Sequence, residues 1–228
     1  MENYNNLDFN IDFGNFNPED IETDETINAV FVVDTSYSVQ NYIHELNFAF
    51  NSFVESMQKS HIAERLFVSI IEFNDQVRVK NGFMPIRNIQ PTDFSKNIGG
   101  ATALFDAVYL GLQNAINYRT NLENSGVETK TLLFIITDGE DNSSKKSPHL
   151  IKQMIDGLNA GERSAFSFTS VLFGIGGTAD FQKARKQMGI AHLAKVGATG
   201  DQIKNMIGFI SQSISMVSVG QASPTPDF

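Results

Sequence analysis

Apolar positions along this chain follow two alternating rhythms. Short apolar runs, Ile27–Val33, Leu66–Phe73, Thr131–Ile136 and Phe166–Phe173, are rich in β-branched and aromatic residues. Their length and composition predict buried parallel strands. Between them the spacing changes. Apolar residues at 39, 42, 43, 46, 49, 50, 53, 54 and 57 fall on one face of a helix over Val39–Met57. Further helices are predicted at Thr102–Tyr118, Pro148–Leu158, Ala179–Met188 and Gln202–Val217, the last with Ile203, Met206, Ile207, Ile210, Ile214 and Val217 on one face. Val77–Ile86 follows the turn-like Asn74-Asp75 and contains Pro85, which marks an edge strand in a hairpin. His192–Val196 reads as a weaker strand.

Strands alternating with helices predict an α/β fold, a doubly wound and mostly parallel sheet with helices on both faces. The predicted division is an acidic N-terminal extension over 1–26, one domain over 27–219 and a polar C-terminal tail over 220–228. In such sheets ligands bind beyond the carboxyl ends of the strands, where the strand order reverses. The loops after Val33, after Ile136 and around Gly100 are therefore the places to look for chemistry.

Charge sharpens the picture of the extension. Net charge is −9, from 17 basic and 26 acidic residues. Residues 1–26 contain Glu2, Asp8, Asp12, Glu19, Asp20, Glu22, Asp24 and Glu25 with no Lys or Arg, so the remainder is close to neutral. Within the extension Leu7, Phe9, Ile11 and Phe13 alternate with Asp8, Asn10 and Asp12. That period of two fits an extended segment docked by its apolar face on a sheet edge, on this domain or on a partner; the alternative is a solvated acidic leader. No basic patch is present, which excludes nucleic acid as the main partner. No apolar stretch is long enough to span a bilayer and no secretory signal opens the chain, so the expected location is the cytoplasm. The absence of cysteine excludes disulfides, thiolate metal sites and cysteine nucleophiles.

The three loops hold matching chemistry: Asp34-Thr35-Ser36-Tyr37-Ser38, Gly99-Gly100-Ala101-Thr102 and Thr137-Asp138-Gly139-Glu140-Asp141. Two carboxylates and three hydroxyls, from Asp34, Ser36, Ser38, Thr102 and Asp138, would converge at one end of the sheet. Such hard oxygen donors favour Mg²⁺, Mn²⁺ or Ca²⁺ over zinc or copper. Asp106 is expected to serve helix or loop structure, and Glu140 and Asp141 to be solvated loop acids.

On these motifs the chain resembles the von Willebrand factor type A family over roughly residues 27–218. Asp34, Ser36 and Ser38 match the Asp-x-Ser-x-Ser motif of its metal-ion-dependent adhesion site (MIDAS), Thr102 the Gly-rich-loop threonine, and Asp138 the later strand-end aspartate. "FVVDTSYS", "GGATALFDAV" and "FIITDGEDNSS" look like stand-alone bacterial or phage members. The resemblance implies a Rossmann-like six-stranded sheet in the order 3-2-1-4-5-6 with one antiparallel edge strand. It implies a non-enzymatic module that binds a partner's Glu or Asp through Mg²⁺, with a MoxR-type AAA+ ATPase among the candidate partners. Tyr37 and Val39 stand where many members carry Gly and Met; Tyr37 would narrow ligand access.

A second reading is a structural component of a large assembly such as a phage particle, with a virion location. A metal-dependent hydrolase is the third, but it needs a base, and the four histidines are scattered over helix or surface positions. No P-loop and no Gly-x-Ser-x-Gly elbow is present.

Overall fold

The computed structural model describes residues 23–160, 167–177 and 179–226. In chain order the elements are β1 (Glu25–Asp34), α1 (Ile43–Gln58), β2 (Leu66–Phe73), β3 (Val77–Pro85), α2 (Leu104–Asn124), β4 (Glu128–Thr137), α3 (Pro148–Asn159), β5 (Phe168–Ile175), α4 (Phe181–Met188), β6 (His192–Val196) and α5 (Gly200–Ser218). The strands form one sheet in the order β3-β2-β1-β4-β5-β6. All neighbours are parallel except β2 and β3. The expected fold class, strand order and antiparallel edge strand all hold. The acidic extension lies outside the described residues up to position 22.

Alternation along β1 divides the core. Phe31 and Val33 point to the face covered by α1 and α5, and Val30 and Val32 to the face covered by α2, α3 and α4. The first face is built on aromatic rings. Phe31 meets Phe50 of α1 edge-on at 5.1 Å and Phe134 of β4 at 5.4 Å. Aromatic pairs of this kind add about 0.5–1.5 kcal/mol each beyond their buried area.

Helices α1, α2 and α4 begin later than their periodicity predicts, the first two for a clear local reason. Residues Tyr37–Asn41 form a 3-10 turn before α1. Val39 N–H bonds to Ser36 O and Tyr42 N–H to Val39 O, which carries the chain around the serines before the α-helix starts. Helix α2 starts at Leu104 because the Thr102 backbone is bonded to another loop. It also runs past Tyr118 to Asn124, where buried Leu122 continues the apolar face one turn further. None of these helices is long and apolar enough to cross a membrane, among the described residues.

The lower half of the α2 face is unexpectedly polar. Asn28 of β1 lies beside Thr131 of β4, and Thr26 beside Thr129. All four are buried, with exposures of 0–5%. The hydroxyls of Thr26, Thr129, Thr131 and Tyr118 and the Asn28 amide make no hydrogen bond within the protein, among the described residues. A buried polar group without a partner costs about 1–3 kcal/mol. Thr131→Val keeps the shape and removes one such group. We expect it to stabilise the domain by roughly 0.5–1 kcal/mol, read as a higher midpoint in thermal unfolding. An unchanged or lower midpoint would show that the Thr131 hydroxyl is satisfied in the folded protein.

Candidate functional site

Strands β1 and β4 are neighbours and end together, with Val33 beside Ile136. This places the loops that follow them side by side. Asp34 is 1% exposed, and both of its carboxylate oxygens are engaged. Oδ1 accepts the Ser36 N–H at 2.8 Å, and Oδ2 accepts the Thr137 hydroxyl at 2.5 Å. Asp34 thus fixes its own loop and ties it to β4.

The hydroxyls continue the chain of contacts. Ser38 donates to Asp138 Oδ1 at 2.7 Å. Ser36 and Ser38 hydroxyl oxygens stand 3.2 Å apart. With the Ser38 proton directed at Asp138, Ser36 is the donor in that pair, and both oxygens keep lone pairs for a further ligand. Thr102 is 4% exposed. Its hydroxyl oxygen would lie 3.4 Å from a Cβ on Gly139, so it sits directly over the residue after Asp138. The Thr102 hydroxyl makes no hydrogen bond among the described residues. The structure therefore brings Asp34, Ser36, Ser38 and Asp138 into one linked group, with Thr102 against its edge.

Two loops hold this group in place. Thr35 N–H and hydroxyl both donate to Phe73 O at the end of β2, at 2.7 and 3.0 Å. Gly99 N–H donates to Thr35 O at 3.0 Å. Gly100 has φ +74°, a left-handed conformation that favours glycine and turns the chain into Thr102. Buried Glu72 contributes from β2. It accepts Lys80 Nζ at 2.6 Å and Asn97 Nδ2 at 2.7 Å, anchoring the segment that leads into the glycines.

The loop after β4 acts as a clasp. Asn142 Oδ1 accepts the Thr102 N–H at 2.8 Å, while Asn142 and Ser143 N–H groups donate to Thr102 O at 3.0 and 3.3 Å. Asp106, in the first turn of α2, accepts the Lys145 and Lys146 N–H groups, the latter at 2.7 Å. Its expected structural role holds. Asp141 differs from the expectation of a solvated acid, while Glu140 is exposed as expected. Asp141 accepts from Ser144 at 2.5 Å and from Phe105 N–H at 3.3 Å. Glu140 accepts from Asp180 N–H at 3.0 Å. Asn142 was not singled out by its sequence context; an Asn after two acids carries no periodic signal, and its role arises only from the meeting of two loops.

The electrostatics are those of an uncompensated acidic site. Burial pushes Asp34 up to about 6, against the lowering effect of its Thr137 and Ser36 hydrogen bonds, with a small raising effect from Asp138. Burial also raises Asp138, opposed by the hydrogen bonds it accepts from Ser38 and Tyr42. Neither carboxylate takes part in an ion pair among the described residues. Tyr42 was also missed as a neighbour of the site. Its hydroxyl is buried without a hydrogen bond of ordinary geometry. It lies close enough to Asp138 and Asp34 that their charges, after burial itself, push it well above the usual tyrosine range. A buried carboxylate, a half-buried one and hydroxyl lone pairs suit a hard cation. No group of three or more His, Cys, Asp or Glu side chains is placed to hold a metal among the described residues. A cation here would take much of its coordination from hydroxyls.

Comparison with known proteins agrees with this architecture. No curated protein matches the chain. The mussel byssus proximal thread matrix protein 1, solved with a zinc-occupied MIDAS motif, is similar in fold at 16% identity, TM-score 0.54, over 84% of this chain and 46% of that one. A von Willebrand factor type A structure from Catenulispora acidiphila shares 14% identity, TM-score 0.58, over 84% of this chain and 43% of that one. The pilus adhesin SpaC from Lactobacillus rhamnosus GG, in its open conformation, shares 14% identity, TM-score 0.62, over 83% of this chain and 30% of that one. This chain thus matches less than half the length of each. A family model for the von Willebrand factor type A domain matches residues 28–194, from β1 through the three candidate loops and into β6. The chain belongs to the von Willebrand factor type A domain family.

Proposed function

We propose that this domain binds a protein partner through a divalent cation held by Asp34, Ser36, Ser38, Thr102 and Asp138, with a Glu or Asp of the partner completing the coordination. The observation that carries the reading is the linked group itself: a buried and a half-buried carboxylate without a cationic partner among the described residues, joined to two serine hydroxyls whose lone pairs are available. A bound Mg²⁺, or Mn²⁺ or Ca²⁺ in its place, would supply a positive centre that accepts one more carboxylate oxygen.

The residues divide the work. Asp34 supplies negative charge, and with both oxygens committed to Ser36 and Thr137 it orients the serine loop rather than reaching outward. Ser36, Ser38 and Thr102 offer neutral oxygens. Asp138 offers the carboxylate oxygen that Ser38 leaves open. The clasp through Asn142 fixes Thr102 beside Gly139 and so holds the donors from two loops in register. Tyr37 is 71% exposed at the rim of the site. Beside it a cavity of about 390 Å³ is lined by Tyr37, Gln40, Ile43, His44, Ser95 and Ile98. Its mixed walls suit a side chain flanking the partner's acidic residue, and Tyr37 supplies a large contact surface of the kind enriched at interfaces.

Calorimetric titration with MgCl₂ tests the reading. The wild-type domain is expected to bind Mg²⁺, and Asp34→Ala/Asp138→Ala to bind at least about a hundredfold more weakly, with the fold retained by circular dichroism. Equal affinity in the two proteins would overturn the site. Asn142→Ala touches no proposed donor side chain. It should weaken Mg²⁺ binding by about tenfold, because outer partners of metal ligands typically matter to that degree. Thr102 N–H exchange should also become faster in that variant, since the bond from Thr102 to Asn142 Oδ1 is lost. Unchanged exchange would show that the clasp does not depend on Asn142.

A further inference from the structure

The sheet has two edges, and they are protected differently. The β3 edge is blunted by register irregularities against β2 and by the charged residues Arg78 and Lys80. The β6 edge is short and regular. β6 pairs with β5 in unbroken register from His192 to Val196, and no strand lies beyond it among the described residues. Val196 spends its carbonyl on Gly176 N–H of the β5 side. By the alternation of a parallel ladder, Leu193 and Lys195 turn their backbone N–H and C=O groups away from β5.

A groove of about 450 Å³ runs beside this edge, lined by Gln182, Arg185, Ala191–Lys195, Thr225 and Pro226. Arg185 and Lys195 make its lining basic, and no acidic side chain contributes to it among the described residues. Arg185 is fixed there, donating to Ile190 O at 3.1 Å and Ala191 O at 2.6 Å. The groove is thus a short unpaired strand edge in a basic setting, on a protein whose net charge is −9.

We propose that the acidic N-terminal extension of the same chain occupies this groove, with Leu7–Phe13 adding as an antiparallel strand to the outer edge of β6. Three observations lead to this occupant. The extension has the complementary charge, with six acids and no Lys or Arg in residues 1–22. Its Leu7, Phe9, Ile11 and Phe13 alternate with polar residues at the period of a strand, and main-chain pairing with alternate side chains is how an extended peptide adds to an edge.

The third observation is reach. β1, β4, β5 and β6 are consecutive and parallel, and the ladders set His192, the first residue of β6, level with Val171, Phe134 and Phe31, part-way along β1 from its start at Glu25. A strand added outside β6 lies four inter-strand steps from β1, about 19 Å across the sheet, and its inner end lies about 20 Å along the strands from Glu25, so roughly 28 Å must be bridged. The eleven residues 14–24 span up to about 36 Å when extended. A segment that ends near this side of the sheet before turning back into β1 runs opposite to β6. The start of β1 is itself anchored, with Glu25 paired to Lys130 at 2.6 Å and to Arg65 at 3.2 Å. A tethered segment of this length meets the edge at high effective concentration, which favours its own chain over a second copy. The inference does not rest on the metal reading, since β6 contributes no proposed donor.

Hydrogen exchange on the full chain, read by mass spectrometry and NMR, tests it. Amides of Leu7–Phe13 and of Leu193 and Lys195 should exchange at least about tenfold more slowly than free-peptide rates. Deleting residues 2–16 should release Leu193 and Lys195 while leaving β1 and β4 amides protected. Phe9→Asp/Ile11→Asp and Arg185→Glu/Lys195→Glu should each give the same release without shortening the chain. Free-peptide exchange of Leu7–Phe13, or β6 protection that survives the deletion, would overturn the proposal. Protection that grows with protein concentration alongside a dimer in sedimentation would overturn the assignment to the same chain.

Discussion

The contact on which the rest of this structure turns is the bond between Asp34 and Thr137. β1 and β4 are the two central strands, and each is paired on both sides. A carboxylate at the end of one and a hydroxyl at the end of the other lock their tips together at 2.5 Å. The bond is costly, because it keeps an acid buried where its charged form is disfavoured. A buried acid that served packing alone would be a poor choice, since an apolar pair of similar volume costs less. The expense becomes intelligible when the same carboxylate organises the loop that presents Ser36 and Ser38.

From that bond outward, the site is assembled by backbone. Thr35 is held to β2, Gly99 to Thr35, Thr102 to Asn142, and the loop after β4 to the first turn of α2 through Asp106. Three loops from distant parts of the sequence therefore share one hydrogen-bonded frame. The donor side chains are carried by that frame and do not have to hold themselves in place. This is the arrangement expected of a preorganised site, in which positions are set before a ligand arrives.

Much of this was legible in the sequence. The apolar runs fixed β2 and β6 to the residue and the centres of the other strands, because parallel strands buried on both faces leave a continuous apolar signature. Asp34, Ser36, Ser38 and Asp138 stood out because they follow strand ends where that signature stops, and Thr102 because it closes the Gly99-Gly100 loop before a helix. The helix starts were less legible, since the residues before α1 and α2 are spent on loop contacts that override periodicity. Asn142, Glu72 and Tyr42 were hidden for a related reason. Each acts through a neighbour more than 20 residues away in sequence, and nothing in its local context announces that neighbour. The polar row of Asn28, Thr129 and Thr131 was masked by the apolar residues around it.

The two ends of the sheet differ in what they do with polar groups. At the carboxyl end, side-chain oxygens of Asp34, Ser38, Asp106 and Asn142 are bonded into a frame. At the opposite end, Thr26, Asn28, Thr129 and Thr131 are buried without partners. β1 links the two ends, and its ten residues span about 33 Å. A strand bonded on both sides along this length is a poor carrier of motion, because displacing it would break two ladders at once. Changes in the polar row of Thr26, Asn28, Thr129 and Thr131 and changes at the Asp34 group should therefore contribute independently, as expected for sites this far apart with no shared partners. Stability can be lost at one end without disturbing chemistry at the other, which leaves the polar row free of the constraint that fixes the loops.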